Sequence, residues 1–356
     1  MHVDKKISDS ENLNNMRYLS MELRENNLFK YATSELSQDA FICWLLSHAT
    51  KECWNVDSDI RSCALDFVKE ILGSKFVDFK DNLYIKNIEK QYKNIDVLFQ
   101  VDKYFVIIED KTFTGTHDDQ VNRYKKTLID EGIEEDNIIC VYYKIDIQPE
   151  PEKDVDIEFT REGILKLFKP YKDKIKNSIF QDYIEYLEFL EWESNAYERL
   201  PITEWNSNAY KGFFKKLGKT ILKDEHKSWG YVANPTGGFM GLWWFDILAD
   251  RDYIKIGYEK EYLSELYLQI EDNVIAVKYT IDKQDFTDMN TVSAIRWNLY
   301  NYFHNEIGDS FMKKSFRPGK YMTIGYIEYT EKNYKDTFKM MKRLLQELPN
   351  KINKIR

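Results

Sequence analysis

The sequence predicts an α+β protein of two domains, and three observations carry that reading. Apolar residues change from a helical period to a strand period and back in each half of the chain. A length of 356 residues amounts to about two ordinary domains. The charge balance also changes sign: residues 1 to 199 hold 27 basic and 40 acidic side chains, a net of −13, whereas residues 200 to 356 hold 24 and 20, a net of +4. The change falls near the Leu200-Pro201 step, after a long amphipathic stretch, so the domains are placed at 1–199, with a core over about 28–145 and a helical extension, and at 200–356.

The elements follow in order. A helix is expected from Ser37, with Ser37 as N-cap, Asp39 in the first turn, and Phe41, Trp44, Leu45 and His48 at i, i+3, i+4 and i+7. A second helical pattern covers Ile60 to Leu72. The period then drops toward 2, giving strands over Asn82 to Tyr92, Asn94 to Val101 and Tyr104 to Lys111, the last two joined by a tight turn at Asp102-Lys103. A loop from Thr112 to Thr116 leads into a helix over His117 to Glu131, capped by Thr116, and a strand over Ile138 to Ile145. Residues 161 to 198 read as helical. The second half offers a helix near Tyr210 to Leu222, then aromatic-rich, mainly antiparallel strands at Gly241 to Leu248, Tyr253 to Tyr258, Glu265 to Glu271 and Val274 to Thr280. A helix near Val292 to Glu306, a strand at Tyr321 to Tyr329 and a helix at Tyr334 to Leu348 close the chain.

Composition excludes several classes. Seven Pro and 14 Gly are too few for collagen-like or low-complexity chains. No run of 18 apolar residues exists, so no membrane span is expected. The polar start MHVDKKISDSENLNNMR lacks the apolar core of a secretory signal, and a cytoplasmic protein is expected. Cys43, Cys53, Cys63 and Cys140 form no C-x-x-C pair and have no histidines at zinc-finger spacing, so they are expected to be reduced thiols. A net charge of −9 argues against a protein that coats nucleic acid over its whole surface.

The chemistry concentrates in one hairpin. In VIIEDK, Glu109 and Lys111 lie two apart on a strand and share a face, while Asp110 points to the other. Counted outward from the Asp102-Lys103 turn, Asp96 falls opposite Glu109. Two carboxylates and an ammonium therefore converge among Val97, Phe99, Val106 and Ile108. Carboxylates held that close repel unless a cation lies between them, and hard oxygen ligands suit Mg²⁺ or Mn²⁺. A lysine beside them can orient water or neutralise phosphate charge. Metal-dependent phosphodiester hydrolysis needs those parts.

Asp96, followed thirteen residues later by Glu109-Asp110-Lys111, resembles the D…(D/E)-x-K signature of the PD-(D/E)XK nuclease superfamily, and the element order resembles its restriction-endonuclease-like αβββαβ core. Gln120 and Tyr124 add the Q-x-x-x-Y pattern of RecB-like members, and ELSQDAFICWLL is similar to the first-helix motif of bacterial members of mostly unassigned function. Ile95 stands where the signature carries proline. The resemblance implies a Mg²⁺-dependent (or Mn²⁺-dependent) nuclease acting in defence or DNA repair, with DNA its expected substrate ahead of RNA and a homodimer as a further expectation. It implies metal ligation by Asp96, Glu109, the Asp110 backbone carbonyl and Glu35, with Lys111 assisting the nucleophile. Gln120 and Tyr124, i and i+4 on a helix, would position the scissile strand or the lysine. The alternative is a non-catalytic nucleic-acid-binding or regulatory protein that keeps the fold.

Other residues carry weaker signals. Asp39 and His117 are secondary candidates at the metal and at phosphate, and the RYKK run Arg123 to Lys126 could contact backbone phosphates. Trp229, Trp243, Trp244 and Tyr258 could stack on bases, although core packing explains them at least as well. Gly218-Lys219-Thr220 has the tail of a P-loop, but Phe213 occupies the required glycine position and no strand precedes it.

Overall fold

Burial sets where the first helix begins, and local capping where the second does. In the computed structural model, which describes residues 21–73, 83–112, 119–235, 237–245, 264–281, 289–315 and 321–352, helix α1 spans Glu35–Ser47 with Ser34 at the N-cap. It starts three residues ahead of the place the Ser37 cap assigned. Glu35 thus opens the helix, and Asp39 moves into its buried face. Helix α2 (Ser58–Leu72) begins at Asp57, whose carboxylate accepts from the amides of Asp59 and Ile60, and stops at Gly73 with φ 50°, a backbone that L side chains rarely adopt. Its buried stripe, Ile60, Cys63, Ala64, Phe67, Val68, Ile71 and Leu72, has the helical period.

Three strands follow: β1 (Ile85–Tyr92), β2 (Ile95–Val101) and β3 (Tyr104–Lys111). Lys93 and Asn94 turn the first hairpin with positive φ at both positions, the pattern of a type I′ turn, and Asp102 (φ 52°) turns the second. Helix α3 (Gln120–Asp130) crosses to β4 (Ile138–Lys144), which runs parallel to β3 as such a crossover allows. Helix α3 starts at Gln120 after Asp119, a left-handed residue that makes no side-chain cap bond. The expected Thr116 cap and His117 lie outside the described residues.

Strand β5 (Ile157–Thr160), absent from the sequence expectation, adds a parallel edge to β4. Four residues with an acidic Glu158 give too short an alternation to read. The sheet order is β1-β2-β3-β4-β5, mixed in direction. The stretch read as one helical run over 161–198 is divided. Helix α4 (Arg161–Phe168) ends at a turn holding Pro170, which cannot supply a helical amide, and α5 (Ser178–Ser194) follows.

Layers form on both faces of this sheet. One face packs Val97, Phe99, Val106 and Ile108 against α1, α2, α4 and α5 through Phe41, Leu45, Phe67, Phe168 and Tyr183. The other packs Leu98, Ile107, Ile138 and Cys140 against Val121, Tyr124 and Leu128 of α3. All four cysteines are free thiols. Among the described residues no helix is long and apolar enough to cross a membrane.

The chain divides into two compact units, Met1–Glu193 and Ser194–Arg356. The second holds α6 (Ser207–Lys219), β6 (His226–Val232), β7 (Phe239–Phe245), β8 (Ser264–Glu271), β9 (Val274–Ile281), α7 (Met289–Ile307), β10 (Phe311–Lys313), β11 (Tyr321–Glu328) and α8 (Tyr334–Ile352). Its six strands form one antiparallel sheet in the order β10-β11-β9-β8-β7-β6. Strands β6 and β10 were not expected, and the expected strand at Tyr253 to Tyr258 lies outside the described residues. Trp244 (1% exposed) stacks on Phe338, and Trp229 is buried, so neither presents a free ring for base stacking, while Trp243 is half-buried. Tyr258 lies outside the described residues. Gly218, Lys219 and Thr220 sit at the C-terminal end of α6, where no phosphate loop can form.

Candidate active site

Register brings a polar row together across the first sheet. The β2–β3 ladder ends at Val97 opposite Ile108, and one step further sets Asp96 opposite Glu109. Continuing outward, Gln91 lies opposite Asp96, between the Lys90–Val97 and Tyr92–Ile95 pairs, and Tyr142 lies opposite Glu109. Paired positions share a face, so Glu109 and Lys111 project together and Asp110 projects to the other side.

The three residues of the signature are in contact. Lys111 Nζ lies 2.5 Å from Glu109 Oε1, 4.0 Å from Asp96 Oδ2 and 3.9 Å from Glu35 Oε2, the last supplied by the first residue of α1. Glu109 is fully buried; Lys111 meets its Oε1, and among the described residues its Oε2 has no hydrogen-bond partner. Burial, then the charge of Asp96, pushes its carboxyl up to about 7. Burial alone would lower the Lys111 ammonium, but the hydrogen bond and charge of Glu109, with Asp96 and Glu35, outweigh it and hold it above its ordinary value. Lys111 is therefore a firmly charged group in this arrangement.

Asp96 is held differently, by a hydrogen bond to each carboxylate oxygen. The Asp110 amide donates to Oδ2 at 2.9 Å and Gln91 Nε2 to Oδ1 at 3.0 Å. In an extended strand the N–H and C=O of one residue point to the same side. The Asp110 carbonyl accordingly faces the side of the strand on which Asp96 lies.

The Asp110 side chain enters the opposite core, where it is fully buried. Its carboxyl accepts from Gln38 Nε2 and meets the carboxyl of Asp39, also fully buried. Burial raises Asp110 well above the ordinary carboxylate range and Asp39 to about 6, the charge of Asp39 adding to the rise at Asp110 and that of Asp96 to the rise at Asp39. Gln38 Oε1 accepts from the Tyr183 hydroxyl at 3.1 Å, which lies 3.0 Å from that of Tyr143. Asp39 belongs to this buried pair on the face away from Lys111.

From α3, Gln120 Nε2 donates to the Tyr124 hydroxyl at 2.6 Å. Burial raises the Tyr124 phenol, and the charges of Glu109 and Asp96 act in the same direction; Tyr124 packs with Leu98 and Ile107 on the face of the sheet to which Glu109 projects. Arg123 and Lys126 are exposed on the outer side of α3, and Lys125 pairs with Glu135. His117 lies outside the described residues.

Sequence reasoning missed Gln38, Gln91, Tyr142 and Lys144. Lys144 is buried opposite Lys111 on β4 and adds another cationic side chain at the end of this strand pair. The available signal was a polar residue at an apolar position: Gln38 on the buried face of α1, Lys144 at the end of an otherwise apolar strand.

The donor set suits a small hard cation. Among the described residues Glu109 Oε2 lacks any hydrogen-bond donor, Asp96 lies opposite Glu109 across the ladder, and the Asp110 carbonyl faces the side on which Asp96 lies. Among the described residues no three His, Cys, Asp or Glu side chains gather into a complete cage. Two carboxylates and a carbonyl would leave the other positions to water, as Mg²⁺ sites do.

A family model described as the PD-(D/E)XK nuclease superfamily matches residues 26–220. No curated protein and no solved structure matches the chain.

Proposed function

The chain belongs to the PD-(D/E)XK nuclease superfamily, and from that premise we propose that it is a divalent-metal-dependent nuclease hydrolysing phosphodiester bonds, with DNA as substrate. The observation that carries the reading is the Glu109 carboxylate: fully buried beside Asp96, met at Oε1 by Lys111, and with no donor to Oε2 among the described residues. A folded core gains nothing from such a group unless a cation completes it. The choice of DNA over RNA rests on analogy with the superfamily alone.

Asp96, Glu109 and the Asp110 carbonyl would hold Mg²⁺ or Mn²⁺, with Glu35 at the outer edge. Bound there, the ion lowers the pKa of water and offsets charge on the phosphate. Lys111, charged and anchored by Glu109, orients the attacking water and faces the negative charge that develops on phosphorus. Gln120 and Tyr124 fix the position of the phosphate or of Lys111 from α3.

The test uses the full chain and Lys111→Ala with labelled single- and double-stranded DNA and RNA in Mg²⁺, Mn²⁺ and EDTA. Metal-dependent cutting by the wild type, lost in the folded variant, is the expected result and identifies the substrate class. A wild type that binds neither Mg²⁺ nor Mn²⁺ would overturn the proposal and favour a non-catalytic nucleic-acid-binding protein of the same fold.

A further inference from the structure

One amide ties the first helix to the site. Gln91 Nε2 lies 3.0 Å from Asp96 Oδ1 and 3.1 Å from Asp39 Oδ2. A side-chain amide has two N–H donors, so one nitrogen serves both carboxylates, and the opposite amide orientation would set an acceptor against acceptors. Gln91 makes this bridge from φ 58°, inside a strand. A non-glycine residue in that region is uncommon, and such strain persists where the surroundings over-determine it.

We propose that Gln91 is a positioning residue for the Asp96 carboxylate, with the buried Asp39 as its anchor. The inference rests on the proposed metal-binding role of Asp96 and deepens it. Gln91 fixes Oδ1 while the Asp110 amide fixes Oδ2. With both oxygens held, the carboxylate plane is set before any cation arrives, and each oxygen keeps lone-pair capacity for it. Among the described residues Glu109 is met at Oε1 by Lys111 and has no donor at Oε2, so fixation of both oxygens belongs to Asp96. The anchor is itself fixed: Asp39 meets Asp110, which accepts from Gln38, which accepts from Tyr183. Through Gln38 and Asp39, two successive residues of α1, the helix thus sets the geometry of a ligand on β2 that it does not itself supply.

The experiment compares wild type, Gln91→Leu and Gln100→Ala in the full chain. Gln100→Ala removes two other side-chain hydrogen bonds of the same sheet edge, one accepted from Asn87 and one donated to the Asp102 carbonyl, without touching Asp96. Mn²⁺ affinity is measured by calorimetry, cleavage is measured against Mn²⁺ concentration, and metal-free crystal structures are solved. Gln91→Leu is expected to weaken Mn²⁺ about 10- to 100-fold, with the rate recovering at saturating Mn²⁺ and the Asp96 carboxylate turned from its wild-type position. Gln100→Ala should match the wild type. Unchanged Mn²⁺ affinity with Asp96 unmoved in Gln91→Leu, or equal weakening in Gln100→Ala, overturns the proposal. If the wild type binds no Mn²⁺, the nuclease reading fails by itself, and the position of Asp96 in the Gln91→Leu crystal structure alone decides the clamp.

Discussion

The two sheets of this protein place their charged side chains differently. Strand β3 of the first sheet ends in Glu109, Asp110 and Lys111, all buried, with a second lysine, Lys144, opposite on β4. In the second sheet, strand β11 alternates between exposed and buried residues, and its charged neighbours pair near the surface: Lys278 with Glu271 at 2.6 Å, and Lys278 with the Thr323 hydroxyl at 3.0 Å. The second arrangement is what packing alone favours. The first keeps carboxylates desolvated and partly without donors, which costs stability unless a ligand completes them. Aromatic content and antiparallel order therefore mark a well-packed sheet in the second unit, and unsatisfied charge marks the candidate site in the first.

That contrast can be broken by mutation, and the largest effect belongs to the first sheet. Glu109→Gln or Asp96→Asn should lower metal-dependent cleavage by about three orders of magnitude or more, as expected when a ligand or charge-stabilising group is lost, with far-ultraviolet circular dichroism unchanged. Either variant cutting at the wild-type rate would remove that residue from the site. In the second unit, Trp244→Ala should destabilise by about 3 to 5 kcal/mol through the cavity it leaves, read by denaturant unfolding of the full chain. A loss below about 1 kcal/mol would mean that this core is not closely packed around Trp244.

The third prediction turns on pH. Glu109 is raised to about 7 from an ordinary value of 4.5, so the protonated form is favoured in the folded state. Stability from this group is present below the ordinary value and is lost as pH climbs from about 4.5 through 7. In metal-free protein at pH 8, Glu109→Gln should therefore be more stable than wild type by on the order of 3 kcal/mol, with the difference vanishing near pH 4. Thermal melts at both pH values check it, and an equal difference at each would assign the effect to packing. Asp39, raised to about 6, adds a loss of the same sign over a lower window. The smallest effect is expected for the Lys278–Glu271 pair, where a double-mutant cycle should give about 1 kcal/mol or less, as partly exposed pairs do.

Much of the first sheet was legible because its signals are local. Alternation of apolar residues marked β2 and β3, the Asp102-Lys103 turn set their register, and register alone carried Asp96 to Glu109. Other features were hidden because their causes lie far away in sequence. Gln38 and Asp39 sit 72 and 71 positions before Asp110, and nothing near them reports that partner. Strand β5 is too short to show a period, and its pairing with β4 supplies what its own residues do not. The start of α1 was misplaced because Ser34 and Ser37 are equally good caps in isolation, and burial of Gln38 and Asp39 against the sheet chooses between them.

The sequence by itself determined the order of elements from the first helix to β4, the hairpin that aligns Asp96 with Glu109, and the residue types that suit a hard cation, since each follows from spacing along one or a few adjacent elements. Only the tertiary structure decided which of these groups is desolvated, that Asp110 and Asp39 are buried together behind the site, and that Gln91 holds Asp96. Burial and hydrogen-bond partnership depend on what packs across the sheet, and that information is spread over helices distant in the chain.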